Sequence, residues 1–132
     1  MKLETAEKMV SAAMKKAEEL AIPSVIAVVD EGGNLKVLKR MDQAIFGSLD
    51  IAINKAYTAA AANVDTEELG KLSQPGQPLY GLQTANQCRY VLFGGGKVLH
   101  DANGLAGAIG VSGGTVEQDL AVAQAGADAF DK

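Results

Sequence analysis

A chain of 132 residues with three Phe, three Tyr, no Trp and a formal net charge of -4 is long enough to bury a core unaided. It lacks the electropositive surface and stacking aromatics of a nucleic-acid binder. One cysteine, Cys88, excludes an internal disulfide, and Met1–Lys8 carries early acidic charge where a secretory signal has an apolar run, which fits a reducing, cytoplasmic compartment. No apolar stretch approaches the roughly 20 residues that cross a bilayer, so a soluble single domain over residues 1–132 is expected. An acidic chain can still hold a local basic pocket, which leaves small anions as ligands.

In chain order, Ala6, Met9, Val10, Ala13, Ala17 and Leu20 recur at helical spacing, with Thr5 as N-cap and Pro23 as terminator. Val25–Val29 is a continuous, β-branched apolar run and reads as a strand covered on both faces. Glu31-Gly32-Gly33-Asn34 turns the chain into a second strand over Leu35–Met41, completing a hairpin. A second helix spans about Gly47–Ala62, its stripe formed by Leu49, Ala52, Ile53, Ala56 and Ala60. Its small-residue end, Ala59–Ala62, suits either internal packing or a subunit contact. Asp65 and Glu68 resemble a reciprocal cap opening a short helix, Ser73–Pro78 is a loop, and Leu79–Gln87 reads as a helical turn.

Arg89–Phe93 is a short apolar segment, broken by Gly94-Gly95-Gly96. Lys97–Asp101 and Leu105–Val111 flank Asn103-Gly104, a strong hairpin signal. Gly107 and Gly110 weaken the second of these strands unless another backbone or a ligand comes close. Ser112-Gly113-Gly114 then leads into a last helix, with Thr115 and Gln118 as a T-x-x-Q capping box and Val116, Leu120, Ala123, Ala127 and Phe130 on its buried side. Helices and hairpin-linked strands in this order predict an α/β (α+β) domain with a mainly antiparallel sheet.

Motifs for chemistry are few. Gly110-Val111-Ser112-Gly113-Gly114 matches G-x-S-x-G, but the one histidine, His100, precedes Ser112, whereas a nucleophile elbow needs its base afterwards. The unpartnered N–H groups of Gly113, Gly114 and the following helical turn suit a carboxylate or phosphate instead. Gly94-Gly95-Gly96-Lys97 fails as a P-loop, since Val91 and Val98 stand where Gly and Ser or Thr are required. One His and one Cys make no standard zinc site, although a single His can be an axial haem ligand. Arg40 and Lys55 are candidate cations for an anionic ligand, and no standard catalytic constellation is present.

The runs Val28-Val29-Asp30-Glu31-Gly32-Gly33, Lys39–Ala44 with its Arg40-Met41-Asp42, Lys55-Ala56-Tyr57-Thr58-Ala59, and Gly107–Gly114 with Gln118-Asp119 beyond, resemble the GlcG/HbpS family of haem-binding and "haem-degrading" proteins, and the C-terminal domain of the propanediol-utilisation adenosyltransferase. The likeness runs from the first helix to Ala125. It implies a profilin-like fold with about five antiparallel strands and helices on both faces. It also implies dimers or assemblies of dimers, and haem binding in some members. In the adenosyltransferase-linked domain the haem ligand looks to be a histidine near the first helix. Met1–Leu20 contains none here, so Met9, Met14 or His100 takes that role, or the iron is not ligated.

These readings converge on an oligomeric small-ligand binder, with haem the leading ligand and a role beside glycerol, diol or glycolate metabolism. Its site is expected at a subunit boundary, built from Arg40, Lys55, Gly95, Gly96, His100, Ser112, Gly113 and Gly114, with His100 on the metal. The alternatives are an enzyme or accessory acting on a small carbonyl or hydroxy acid or in cobalamin metabolism, and an assembly partner without a ligand.

Overall fold

The computed structural model describes residues 1–131. The first helix, α1 (Leu3–Glu19), buries Ala6, Met9, Val10, Ala13 and Ala17 of the predicted stripe, while Leu20, its last expected member, is the exposed C-cap. Lys2 occupies the N-cap without a side-chain bond, and Thr5 lies inside the first turn. The helix stops ahead of Pro23. Ala21 turns left-handed, with its N–H on the Glu18 carbonyl at 3.0 Å and the Ile22 N–H on the Ala17 carbonyl at 2.9 Å. That reciprocal pair satisfies carbonyls the helix end would otherwise orphan.

Strands β1 (Val25–Asp30), β2 (Leu35–Arg40), β3 (Gly96–Asp101) and β4 (Gly104–Ser112) form one antiparallel sheet in the order β2-β1-β4-β3. Central β1 is buried on both faces, as its apolar run demands. On one face Ile26, Val28, Ile109 and Val111 pack against Met9, Val10 and Ala13 of α1 and Val122 of α5 (Val116–Asp128). On the other, Val25, Ala27, Val29 and Ala108 pack against Ala52, Ala56 and Ala59 of α2 (Gly47–Ala62). Each fully buried valine or isoleucine removes enough apolar area from water to stabilise the fold by roughly 1.5–3 kcal/mol. Gly110 is required here, because a Cβ would collide with the Ala52 carbonyl of α2. The close approach predicted for the glycines of β4 is therefore made by backbone.

Among the described residues the sheet has four strands where about five were expected. Arg89–Phe93 forms none, because its polar groups are engaged elsewhere: the Val91 N–H donates to Thr58 Oγ1 of α2 at 3.0 Å, and the Leu92 carbonyl abuts Gly70. This leaves β3 as an edge strand. The β3–β4 turn is Ala102-Asn103, since Asp101 pairs with Gly104, one residue earlier than the Asn-Gly signal suggested. Asp65 precedes α3 (Thr66–Leu72) but does not cap it; its carboxylate accepts from the Val98 N–H at 2.9 Å and Lys97 Nζ at 3.0 Å. The Leu79–Gln87 stretch holds a 3-10 turn (Leu82–Thr84) and a four-residue turn, α4 (Ala85–Cys88), in which Asn86 and Gln87 are left-handed. On α5 the capping box forms as predicted, yet Val116 is exposed and the buried face comprises Asp119, Val122, Ala123 and Gly126. No helix among the described residues is long and apolar enough to cross a membrane.

Candidate functional site

Lys55 explains why the glycine-rich end of the sheet looks unlike the anion cradle read from sequence. It projects from α2 into the protein and is 0 % exposed. Its Nζ donates to the Val111 carbonyl at 2.8 Å and to Asp119 Oδ2 at 3.1 Å, and lies 5.0 Å from the Phe93 ring centroid. Burial pushes the ammonium below its ordinary pKa of 10.5, with the Asp119 carboxylate pulling it back up. Gly95 is glycine because φ is +124° and a Cβ would stand 2.6 Å from that Nζ.

The neighbouring donors are occupied by the protein itself. The Gly96 N–H goes to Thr66 Oγ1 at 2.9 Å and the Gly114 N–H to Asp119 Oδ1 at 2.9 Å. Thr115 N–H donates to Gln118 Oε1 at 2.8 Å and Gln118 N–H to Thr115 Oγ1 at 3.3 Å. Ser112 Oγ meets Ser48 Oγ at 3.2 Å in a buried contact with no imidazole beside it. The fold gathers Lys55, Gly95, Gly96, Ser112, Gly113 and Gly114 at one end, with the Lys55 ammonium, the Ser112 hydroxyl and the Gly96 and Gly114 N–H groups bonded within the protein. Side chains complete the cradle: an ion in a low-dielectric interior needs a counter-charge, and Asp119 on α5 supplies one while also taking the Gly114 donor. These residues hold the ends of α2, β4 and α5 together; the ligand contacts expected of Lys55 and Gly114 are corrected accordingly.

Arg40 sits on the opposite edge strand, exposed, with Nη1 3.5 Å from the Ala44 carbonyl. His100 lies on β3, so the order β2-β1-β4-β3 keeps the two apart. His100 Nε2 is 2.7 Å from Asn63 Oδ1 at the C-terminal cap of α2. That oxygen accepts, so the contact is satisfied by the tautomer that carries its proton on Nε2. A β-bulge between Leu99 and His100 re-aims the side chain at the sheet edge. Beside it opens a cavity of about 370 Å³ lined by Val98, Leu99, His100, Gln124, Ala127, Asp128 and Phe130. Phe130 also lines a second cavity of about 380 Å³ that reaches Met1, Thr5 and Ala106. Of the other iron-ligand candidates, Met9 is 0 % exposed within the core, and Met14 is partly buried against that core. Among the described residues no group of three or more His, Cys, Asp or Glu side chains is placed to hold a metal ion.

Sequence reasoning passed over one further cluster. Asn86, Gln87 and Cys88 are consecutive left-handed residues, with φ of 53°, 58° and 61°. Each costs about 1–2 kcal/mol relative to a right-handed conformation. The segment is pinned where Asn86 Nδ2 donates to Tyr57 Oη at 2.9 Å. The next residue, Arg89, lays its guanidinium over the Tyr57 ring, 3.6 Å from the centroid, and donates through Nε to Asn54 Oδ1 at 3.3 Å. No glycine, and no periodicity, marks this turn in the sequence.

Comparison with known proteins places this architecture. The profile of a family described as haem-degrading protein HbpS-like matches residues 1–128. A 15.0 kDa Citrobacter freundii protein of the dhaT-dhaS intergenic region is 48% identical over 130 residues, 98% of this chain and 92% of that protein. The Citrobacter freundii corrinoid adenosyltransferase PduO is 45% identical over 113 residues; the match takes 86% of this chain but only 34% of that protein. The crystal structure of a PduOC–haem complex superposes with a TM-score of 0.95 at 38% identity, covering 99% of this chain and 95% of that one. The antiparallel sheet clad by helices on both faces, together with a family match over almost its whole length, establishes that this chain belongs to the HbpS-like family.

Proposed function

We propose that this protein binds haem, with the His100 imidazole facing the iron from the edge of the sheet. The observation that carries the reading is the chain's one imidazole at the edge of a cavity lined by Val98, Leu99, Ala127 and Phe130 together with Gln124 and Asp128. A single histidine is a sufficient protein ligand for haem iron. Asn63 fixes the ring orientation and the tautomer through Nε2. Bound haem supplies a redox-active iron; the chain supplies the ligand and its orientation. Family membership and the haem complex of a 38% identical domain support the same reading. At about 370 Å³ the cavity lies at the small end of the roughly 300–1,000 Å³ of ligand pockets, so a neighbouring copy completes the site in a dimer or an assembly of dimers. Ile45 and Phe46, 70% and 80% exposed at the opposite end of α2 from His100, are apolar surface that a second contact of such an assembly would cover.

Titration of the purified protein with hemin tests this directly. A saturable Soret shift is expected, and His100→Ala should weaken binding at least tenfold while leaving the circular dichroism unchanged. A spectrum indistinguishable from free hemin, or an unaffected His100→Ala variant, overturns the assignment.

A second reading, an accessory role in corrinoid metabolism, is favoured by the 45% identity to a corrinoid adenosyltransferase. A bound corrinoid raises the melting temperature. Thermal-shift measurement with cobalamin separates the two readings, and no stabilisation counts against this one.

A further inference from the structure

Among the described residues Arg89 is a prepared cation without a counter-ion. The ion pairs among the described residues involve Met1, Lys8, Lys16, Lys55, Lys71 and Lys97 as cations, and none reaches Arg89. Its guanidinium is nevertheless fixed on two sides: the plane stacks on Tyr57 with its centre 3.6 Å from the ring centroid, and Nε donates to Asn54 Oδ1 at 3.3 Å. Those contacts consume one face and one N–H, and leave the two terminal nitrogens as an open fork. A fork of this kind matches two oxygens of one planar or tetrahedral oxyanion.

Tyr57 extends the donor set. Its hydroxyl accepts from Asn86 Nδ2 at 2.9 Å, so its own proton is free to donate. Tyr90 stands alongside, with ring centroids 6.3 Å apart. The three left-handed residues before Arg89 force the chain to deliver the guanidinium onto Tyr57, with the Arg89 N–H closing on the Asn86 carbonyl at 3.1 Å. Strained backbone held by a side-chain bond, ending in an immobilised and unpaired arginine, is how a binding group is pre-organised.

We propose that Arg89, Tyr57 and Asn86 form an oxyanion site, separate from the His100 cavity, that takes the carboxylate or phosphate of a small ligand. The Arg89 fork grips two of its oxygens and the Tyr57 hydroxyl donates to the anion.

The test follows the Arg89 Nε–H and Asn86 Nδ2–H resonances of the intact protein by NMR. Sodium acetate and sodium phosphate are titrated in separate arms, with sodium chloride holding ionic strength constant. The expected result is saturable movement of both resonances with one anion, and a dissociation constant at least tenfold weaker in Arg89→Lys, which keeps the charge and loses the fork. Tyr57→Phe retains the stacking ring and should weaken the same anion about threefold; it also serves if Arg89→Lys does not fold. The acetate and phosphate arms decide whether carboxylate or phosphate is the ligand class. Shifts that stay linear in both arms, that chloride reproduces, or that survive Arg89→Lys and Tyr57→Phe with unchanged affinity overturn the proposal.

Discussion

Two cations pack against the same helix and meet opposite fates. Lys55 points from α2 into the core, where it is paired with Asp119 and bonded to the Val111 carbonyl. Arg89 lies over Tyr57 of α2, half-buried, with no carboxylate partner among the described residues. The difference is one of solvation. A charge withdrawn from water costs several kcal/mol unless a counter-charge and hydrogen bonds replace the water, so Lys55 has its capacity committed to the fold. A guanidinium at the surface keeps part of its hydration and is stable unpaired, so its capacity remains available for a ligand. Basic residues that look alike in a sequence therefore divide into structural and binding groups by depth.

Four measurements sharpen or break this comparison. The largest effect belongs to Lys55→Met, which strands Asp119 in the interior; a loss of about 3–5 kcal/mol in urea denaturation is expected. Pairing it with Asp119→Leu should recover much of that loss, and a single variant as stable as the wild type would show that the pair is not structural. Next comes Thr115→Ala, which removes the hydroxyl capping α5 and should cost about 1 kcal/mol in the same assay. A loss near zero would mean that the Asp119–Gly114 bond holds that end alone.

Arg89→Leu is expected to be milder, about 0.5–1 kcal/mol, the worth of an exposed stack on an aromatic ring. A loss as large as that of Lys55→Met would erase the distinction drawn between the two cations. The last measurement reads a slope. Because Lys55 has a folded-state pKa below 10.5, the unfolded chain binds more protons than the native chain between the two values, and stability rises with pH across that window. Below it Lys55 is charged in both states and the cost of burying the charge is carried in full; the cost falls away as pH rises through the folded pKa. The stability difference between wild type and Lys55→Met should therefore widen from neutral pH towards 10.5. A flat or narrowing difference contradicts it.

Local patterns were sufficient for most elements. The stripe of α1, the doubly covered β1, the extent of α2 and the Thr115–Gln118 box are all legible because each rests on neighbours within one or two turns of chain. His100 was legible as a candidate because it is the sole imidazole, and the HbpS-like resemblance was legible in the Gly107–Gly114 run. What failed, failed for a shared reason. The Arg89–Phe93 segment is apolar enough for a strand, but its Val91 N–H is claimed by Thr58, a residue 33 positions away. Asp65 has the spacing of a cap and serves Val98 and Lys97 instead.

The chain by itself therefore determined its elements, their capping and its family, since periodicity and backbone preference act over a few residues. Tertiary structure alone decided the polar assignments: that Lys55 spends its charge on Asp119, 64 positions away, that Gly114 gives its N–H to the same carboxylate, and that Arg89 is left with an open fork. A hydrogen bond or ion pair forms where burial strips water from two groups at once, and which groups lose their water together is settled only when α2, β4 and α5 close on one another.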